Sequence, residues 1–312
     1  MKKQSRRSFI GKLAVAGAGT AAAGIGTAGL ISCKPGVKSS DTPGGVFKRR
    51  YKLSLNAYSL NQPLRDGSMN LFDLLEFSSE NGFDGVDLTG YYFPGYPEVP
   101  SDEYLYSVKK RAFQLGLFIN GTGIKNDFTW SDRSKREEGK ELIRNWVIVA
   151  EKLGAPSLRI FTGNLSKEEF SWEERAEWIA EDIRECAGFG KKHGVMMAVQ
   201  NKNDFISDAS HVDKMFKMIN HDWAGLMLDM GSYRVPDPYA EMASNSKYAI
   251  SWLIQEKIYI NDQQTDPDYG RIRDMVRECG YQGFLQLETL GEGDPVVKIR
   301  TLFDKVNSVF NS

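Results

Sequence analysis

A (β/α)8 TIM barrel, an α/β fold, is the class this 312-residue sequence predicts, on three observations. From Tyr51 onward, short β-branched or aliphatic runs alternate eight times with longer stretches of helical period. That alternation occupies about 260 residues, the size at which eight strand–helix units close into a barrel. An open doubly wound sheet places a glycine-rich phosphate loop after its first strand, whereas the sequence there reads Asn56-Ala57-Tyr58-Ser59-Leu60-Asn61.

The predicted strands are 52–57, 85–88, 118–121, 157–161, 196–201, 225–229, 257–261 and 284–288. Between and after them the apolar period is helical over 71–81, 103–115, 134–153, 172–193, 211–219, 238–248, 269–279 and 295–310. Glycine closes several helices just before the next strand, as at Gly82, Gly116, Gly154, Gly194 and Gly280, where a left-handed cap is expected. Pro238 and Pro295 open helices at a position where a missing N–H costs nothing.

The composition, 41% hydrophobic and 26% charged, excludes wholesale disorder, collagen and a polytopic membrane protein. A net charge of -1 hides an asymmetry. Residues 1–50 hold ten Lys and Arg and one acid, Asp41, so the remainder carries about ten negative charges in excess. A protein that tracks phosphates needs the opposite sign, which argues against a nucleic-acid partner and for a small neutral ligand such as a sugar. Three cysteines are too few for a disulfide scaffold, and Cys186 and Cys279 fall in predicted helices as buried free thiols.

The basic excess belongs to an address. Residues 1–12 carry Lys2, Lys3, Arg6, Arg7 and Lys12, and the stretch from Leu13 to Cys33 is uncharged but poor in Leu, Ile and Phe. A basic head, a weakly apolar middle and small residues near the end describe an export signal. Ser5-Arg6-Arg7-Ser8-Phe9-Ile10-Gly11-Lys12 resembles a twin-arginine signal, and Leu30-Ile31-Ser32-Cys33 resembles a lipobox. The organisation expected is a signal over 1–33, a Pro/Gly/Ser-rich tether over 34–50 and a barrel over 51–312. The resemblance implies the twin-arginine export machinery as a partner, acylation at Cys33 and a membrane-anchored place at the cell envelope or periplasm.

Barrel chemistry sits at the C-terminal ends of the strands. Those ends supply Asn56 and Tyr58, Asp87 with Tyr91 and Tyr92, Asn120 and Lys125, Arg159 and Phe161. The second half supplies Gln200-Asn201-Lys202, Asp229, Tyr259 with Asn261 and Asp262, and Glu288. Aromatic faces and amide forks suit a polyhydroxylated ring, so Asn56, Tyr58, Tyr91, Arg159, Asn201, Tyr259 and Asp262 are the expected carbohydrate contacts. Asp229 follows Leu226-Met227-Leu228, where an acid is costly without a partner, and Glu288 follows Phe284-Leu285-Gln286-Leu287 in the same way. His193, His211 and His221 lie at helix ends or in a loop, away from any predicted C-terminal strand end.

Four segments resemble the xylose-isomerase-like barrels of the sugar phosphate isomerase/epimerase superfamily: Phe83-Asp84-Gly85-Val86-Asp87-Leu88, Leu226-Met227-Leu228-Asp229-Met230-Gly231, Lys257-Ile258-Tyr259-Ile260-Asn261-Asp262 and Gly280-Tyr281-Gln282-Gly283-Phe284-Leu285-Gln286-Leu287-Glu288. The resemblance spans about residues 51–306. It implies one divalent metal, Mn, Mg or Zn, held by Glu, Asp, His and Glu from strands five to eight, with the two glutamates shuttling a proton beside a carbonyl. Asp229 and Glu288 meet the second and fourth positions, but Gln200 stands in the first and Tyr259 in the third. A hard ion can accept the Gln200 carbonyl, whereas Tyr259 is a poor ligand unless ionised, so the inventory equally allows a site with no metal.

With the strand-five glutamate gone, Glu288 remains one acid–base group, and Lys125, Lys202 or Tyr259 is the candidate second. The expected protein is therefore an exported isomerase or epimerase of an unphosphorylated sugar or keto-sugar. The alternatives are a metal-independent lyase or hydrolase of 3-keto-glycosides and a non-catalytic carbohydrate-binding barrel at the envelope.

Overall fold

The computed structural model describes residues 51–164, 170–202 and 205–311. The predicted signal, tether and Cys33 lie outside the described residues.

Eight parallel strands close on themselves: β1 (Lys52–Asn56), β2 (Gly85–Thr89), β3 (Phe118–Gly123), β4 (Ser157–Ile160), β5 (Met196–Gln200), β6 (Ala224–Asp229), β7 (Ala249–Gln255) and β10 (Phe284–Glu288). The circuit runs β1-β10-β7-β6-β5-β4-β3-β2 and returns to β1. The helices are α1 (Asn61–Asp66), α2 (Leu71–Glu80), α3 (Asp102–Gln114), α4 (Arg133–Leu153), α5 (Trp172–His193), α6 (Ala209–Ile219), α7 (Pro238–Asn245), α8 (Tyr269–Glu278) and α9 (Pro295–Phe310). The (β/α)8 TIM barrel expected from the alternation is the fold observed. Among the described residues, no helix is long and apolar enough to cross a membrane.

One strand differs from expectation. The barrel's seventh strand is Ala249–Gln255, and residues 258–260 instead form β8 (Ile258–Ile260) of an antiparallel hairpin with β9 (Gln263–Thr265). The hairpin turns through Asn261 and Asp262, both in left-handed backbone conformations. Tyr259 and Asp262 consequently leave the barrel wall, and Gln255 is the residue that ends the seventh strand.

Strand residues alternate between the helical jacket and the barrel interior. Outward, Leu53, Leu55, Val86, Leu88, Leu226, Leu228, Trp252, Ile254, Leu285 and Leu287 join the large buried cluster beneath the helices. Inward there is only a small apolar plug, Ala198, Met227 and Leu253, with Ile250 against it. Much of the remaining interior is polar: Ser54, Asn56, Asp87, Arg159, Gln200, Asp229, Gln255, Gln286 and Glu288 are all buried. A barrel with so polar a lumen positions chemistry at the expense of packing.

Local signals fix the element ends. Asp208 accepts from the His211 N–H at the start of α6, and Pro238 and Pro295 sit in the first turns of α7 and α9. Gly154 and Gly194 close the two longest helices in left-handed conformations, with φ of 78° and 69°. Replacing Gly154 by Ala forces a Cβ into that conformation and should cost about 1–2 kcal/mol in urea unfolding. A stability equal to wild type would overturn this reading of the cap.

Candidate active site

Asp229 and Glu288 both end inward-facing strands and both are buried. Asn201 fixes the first of them. Its Oδ1 accepts from the Asp229 N–H at 2.7 Å, and its Nδ2 donates to the Asp229 carbonyl at 3.1 Å. With both amide ends bonded to the Asp229 backbone, Asn201 is a strap between β5 and β6. The Asp229 carboxylate accepts three further bonds, from Gln200 Nε2 at 2.8 Å, Ser232 Oγ at 2.9 Å and the Gly231 N–H at 2.9 Å.

Glu288 faces Gln255 across the β10–β7 ladder, and Gln255 Nε2 donates to its Oε2 at 2.8 Å. The backbone makes room for this amide at Gly231, where a Cβ would collide with Gln255 Oε1. Gln255 is the functional residue that the sequence reading missed, because the seventh strand was placed eight residues too late.

Burial is the largest influence on both acids. It raises Asp229 above the ordinary carboxylate range, opposed by its hydrogen bonds from Gln200, Ser232 and Gly231 and, more weakly, by the Lys202 charge. Burial and then the Asp229 charge push Glu288 up to about 8, against the Arg159 guanidinium and the Gln255 hydrogen bond. A carboxyl whose acid and ionised forms are both accessible near neutrality can donate a proton in the first form and accept one in the second.

Arg159 lies buried at the end of β4. Its Nη1 donates to Gln200 Oε1 and its Nη2 to the Tyr91 hydroxyl, both at 3.3 Å, and its guanidinium carbon is 5.0 Å from the Phe161 ring centroid. A Cβ at Gly123 would strike this guanidinium, so a glycine there lets Arg159 lie across β3. Asp87, on β2, is raised by burial in turn; Arg159 and Gln286 lie close enough to oppose that shift, though neither of its oxygens makes a hydrogen bond of good geometry.

Tyr58, Tyr91, Tyr92 and Tyr96 form an aromatic wall, with the Tyr91 ring edge-on to Tyr58 at 6.4 Å, Tyr92 at 5.1 Å and Tyr96 at 6.0 Å. Burial, the neighbouring Tyr91 and the Glu288 charge hold the Tyr58 phenol above its ordinary pKa. Asn56, expected as a sugar contact, uses Oδ1 to cap the Tyr58 N–H and Nδ2 to reach Gln286, so it supports this wall from below. Lys202 is exposed, with Nζ 5.4 Å from the Phe161 ring centroid; Lys125 is exposed, and its N–H donates to the Tyr96 hydroxyl. Tyr259 accepts from Gln264 and is covered by Arg234 at 3.8 Å, while exposed Asp262 pairs with Arg234 at 3.4 Å. Neither belongs to the constellation around Asp229 and Glu288. A cavity of about 610 Å³ opens beside that constellation, bounded by Gln255, Tyr259, Gln264, Leu290, Val297 and Lys298.

Residues 75–306 match the xylose isomerase-like TIM barrel. The chain belongs to that family. Among solved structures it resembles a D-psicose 3-epimerase with D-tagatose from Clostridium cellulolyticum, at 15% identity over 83% of this chain and 99% of that one, with a TM-score of 0.71. It also resembles a 3-keto-D-glucoside 4-epimerase from E. coli, at 12% identity over 77% and 94%, with a TM-score of 0.64. A third, a protein holding a zinc atom, is 16% identical over 84% of this chain and the whole of its own, with a TM-score of 0.67. A search of curated proteins gives no match.

The donor set of this xylose isomerase-like barrel does not fit a metal. Among the described residues, no three His, Cys, Asp or Glu side chains are grouped to hold an ion. Gln200 and Gln255 aim N–H groups, not carbonyls, at Asp229 and Glu288, and Gln200 Oε1 already accepts from Arg159.

The raised Glu288 carboxyl reverses the usual sign of acid linkage. The folded protein holds this proton up to about pH 8, whereas an ordinary carboxyl in the unfolded chain releases it near 4.5. Between those values the unfolded state binds fewer protons, so stability falls as pH rises, and the full penalty is present above about pH 8. Urea unfolding of wild type and Glu288→Gln should diverge across this window by about 1 kcal/mol per pH unit, with the variant gaining. Parallel pH profiles would show that Glu288 titrates normally.

Proposed function

We propose that this protein is a sugar isomerase- or epimerase-like enzyme acting on an unphosphorylated sugar or keto-sugar. The observation that carries the reading is the Glu288 carboxyl, buried at the end of the eighth barrel strand and poised near pH 8 by burial and by Asp229. Such a group suits removal and return of a proton at a carbon next to a carbonyl. The ionised form of Glu288 takes the proton, the C–H pair moves into a C=C bond, the carbonyl π pair moves onto oxygen, and the now protonated Glu288 returns the proton to carbon. Asp229, saturated with hydrogen bonds, stays in place and sets the charge that Glu288 feels. The aromatic wall of Tyr58 and Tyr91 offers an apolar face to a sugar ring.

A second reading, a metal-independent lyase of 3-keto-glycosides, is favoured by the cavity that opens from Gln255. Its volume of about 610 Å³ has room for a second ring or another leaving group next to Gln255, the amide that donates to Glu288. In both readings the enzyme is an exported lipoprotein, supported by the twin-arginine-like head and by Leu30-Ile31-Ser32-Cys33.

The full-length protein in detergent, incubated in D2O with D-fructose, D-tagatose or a 3-keto-glucoside, should place deuterium beside the carbonyl. Glu288→Gln should slow that exchange by about 10²–10⁴-fold. Saccharide binding without exchange would leave a carbohydrate-binding barrel and sink the enzymatic reading. Labelled palmitate should enter the wild-type protein in cells and not Cys33→Ser; equal labelling of both would overturn the lipobox.

A further inference from the structure

We propose that the Arg159 guanidinium takes the place of a divalent metal in this barrel and is the catalytic group that holds the oxyanion formed when a proton leaves the sugar. The inference rests on the keto-sugar reading above and adds to it the cation that the reaction needs.

The argument begins with charge. Asp87, Asp229 and Glu288 are three acids buried in one barrel interior, and burial raises all three. Transfer of a proton from carbon to Glu288 moves the negative charge from that carboxylate onto the substrate oxygen, and a low-dielectric lumen makes the new oxyanion costly without a fixed cation beside it. Among the described residues, Arg159 is the cation fully enclosed in the lumen; Lys202 stands exposed at the rim. Burial weakens the hold of Arg159 on its proton, and Tyr91, Asp87 and Glu288 together outweigh that effect.

Geometry then distinguishes a working cation from a structural one. A guanidinium has five N–H donors. Arg159 commits one to Gln200 and one to Tyr91, through bonds of 3.3 Å, and its Nε makes none although it is buried. Its two carboxylate neighbours, Asp87 and Glu288, form no ion pair with it inside 4 Å, so the planar fork is not consumed by a salt bridge. Among the described residues, the Nε N–H and the second hydrogen on each Nη have no protein acceptor, which leaves the guanidinium donors for an oxyanion. The strand-end amides complete the substitution. Gln200 turns its carbonyl to Arg159 and its N–H to Asp229, and Gln255 turns its N–H to Glu288, so each is oriented for a site in which the positive charge comes from Arg159.

The test has a readout that needs no turnover. Mn2+ binding followed by electron paramagnetic resonance should be weaker than millimolar for the full-length wild-type protein. Gln200→Glu with Gln255→His should still bind poorly, because Arg159 repels the ion, and adding Arg159→Met should raise affinity at least tenfold. In parallel, glycolohydroxamate, an anionic enediolate mimic, should bind wild type in excess EDTA and lose at least tenfold affinity in Arg159→Met, with part recovered in Arg159→Lys. Micromolar Mn2+ binding by wild type would overturn the proposal without any variant having to fold. So would hydroxamate binding that ignores Arg159 in a variant whose circular dichroism matches wild type. Absence of turnover with every sugar, alongside the expected Mn2+ and hydroxamate results, would instead defeat the sugar reading and leave the cation site standing.

Discussion

Everything at the mouth of this barrel depends on keeping two acids, Asp229 and Glu288, buried side by side without letting both become unpartnered charges. Burial alone makes each ionised form costly, and each raises the cost for the other. The chain meets this constraint with amides. Gln200 and Gln255 each give an N–H to one acid, Gly231 gives a backbone N–H and Ser232 a hydroxyl to Asp229, and Asn201 holds the Asp229 backbone from both sides. The bonds are unequal. Asp229 receives three to its carboxylate and Glu288 receives one, so hydrogen bonding favours the ionised form of Asp229 more than that of Glu288. This asymmetry gives the two carboxyls different environments, the kind of separation on which the proposed acid–base chemistry relies.

The polar lumen has a structural cost that the outer layer offsets. With the apolar plug confined to Ala198, Met227 and Leu253, stability rests mainly on the interface between barrel and helices, where Trp146 and Trp252 are fully buried. Small residues on β3 then allow large ones elsewhere. Gly121 lies against the Asp87 carboxyl and Gly123 against Arg159, so one glycine-bearing strand accommodates both an acid and a guanidinium inside the barrel. The same logic operates at Gly231, whose missing side chain is filled by Gln255.

The fold was legible because its signals are local: helical periods, capping glycines and aliphatic strands ending in a polar residue. The strand-end logic also found Asp229, Glu288, Gln200, Arg159 and Tyr91, which the structure gathers around one centre. The seventh strand escaped because Ala249–Gln255 follows Tyr248 with no glycine or proline between, so Trp252-Leu253-Ile254 reads as a continuation toward the next run. Ile258-Tyr259-Ile260, ending in Asn261-Asp262, imitates a strand with a polar tip but is one arm of a hairpin. A turn made by two non-glycine residues in left-handed conformations carries little warning in sequence. The alternation of Ser251, Leu253 and Gln255 against Trp252 and Ile254 was the signal that could have found the true strand. Asn56 and Asn201 are ambiguous for a different reason: an amide at a strand end serves backbone and ligand equally well, and both are seen bonded to neighbouring protein groups.

The correction at the seventh strand changes the chemistry, not only the boundary. Tyr259 in the third ligand position, with Gln200 in the first, describes a metal site altered at two of four corners, which a tolerant hard ion could still occupy through the Gln200 carbonyl. Gln255 in that position describes a symmetrical replacement, with an amide on the strand beside each acid. Two neutral donors aimed at two acids, with a guanidinium bonded to one of those donors, form two hydrogen-bonded groups, Arg159–Gln200–Asp229 and Gln255–Glu288, that act on each other through charge. Restoring one metal-type donor alone therefore breaks the set without rebuilding the alternative. Gln200→Glu would add a third carboxylate against Asp229 and remove the N–H that Asp229 accepts, while Gln255→His would take the N–H from Glu288. The barrel is consistent with itself only when the amides and the arginine are taken together.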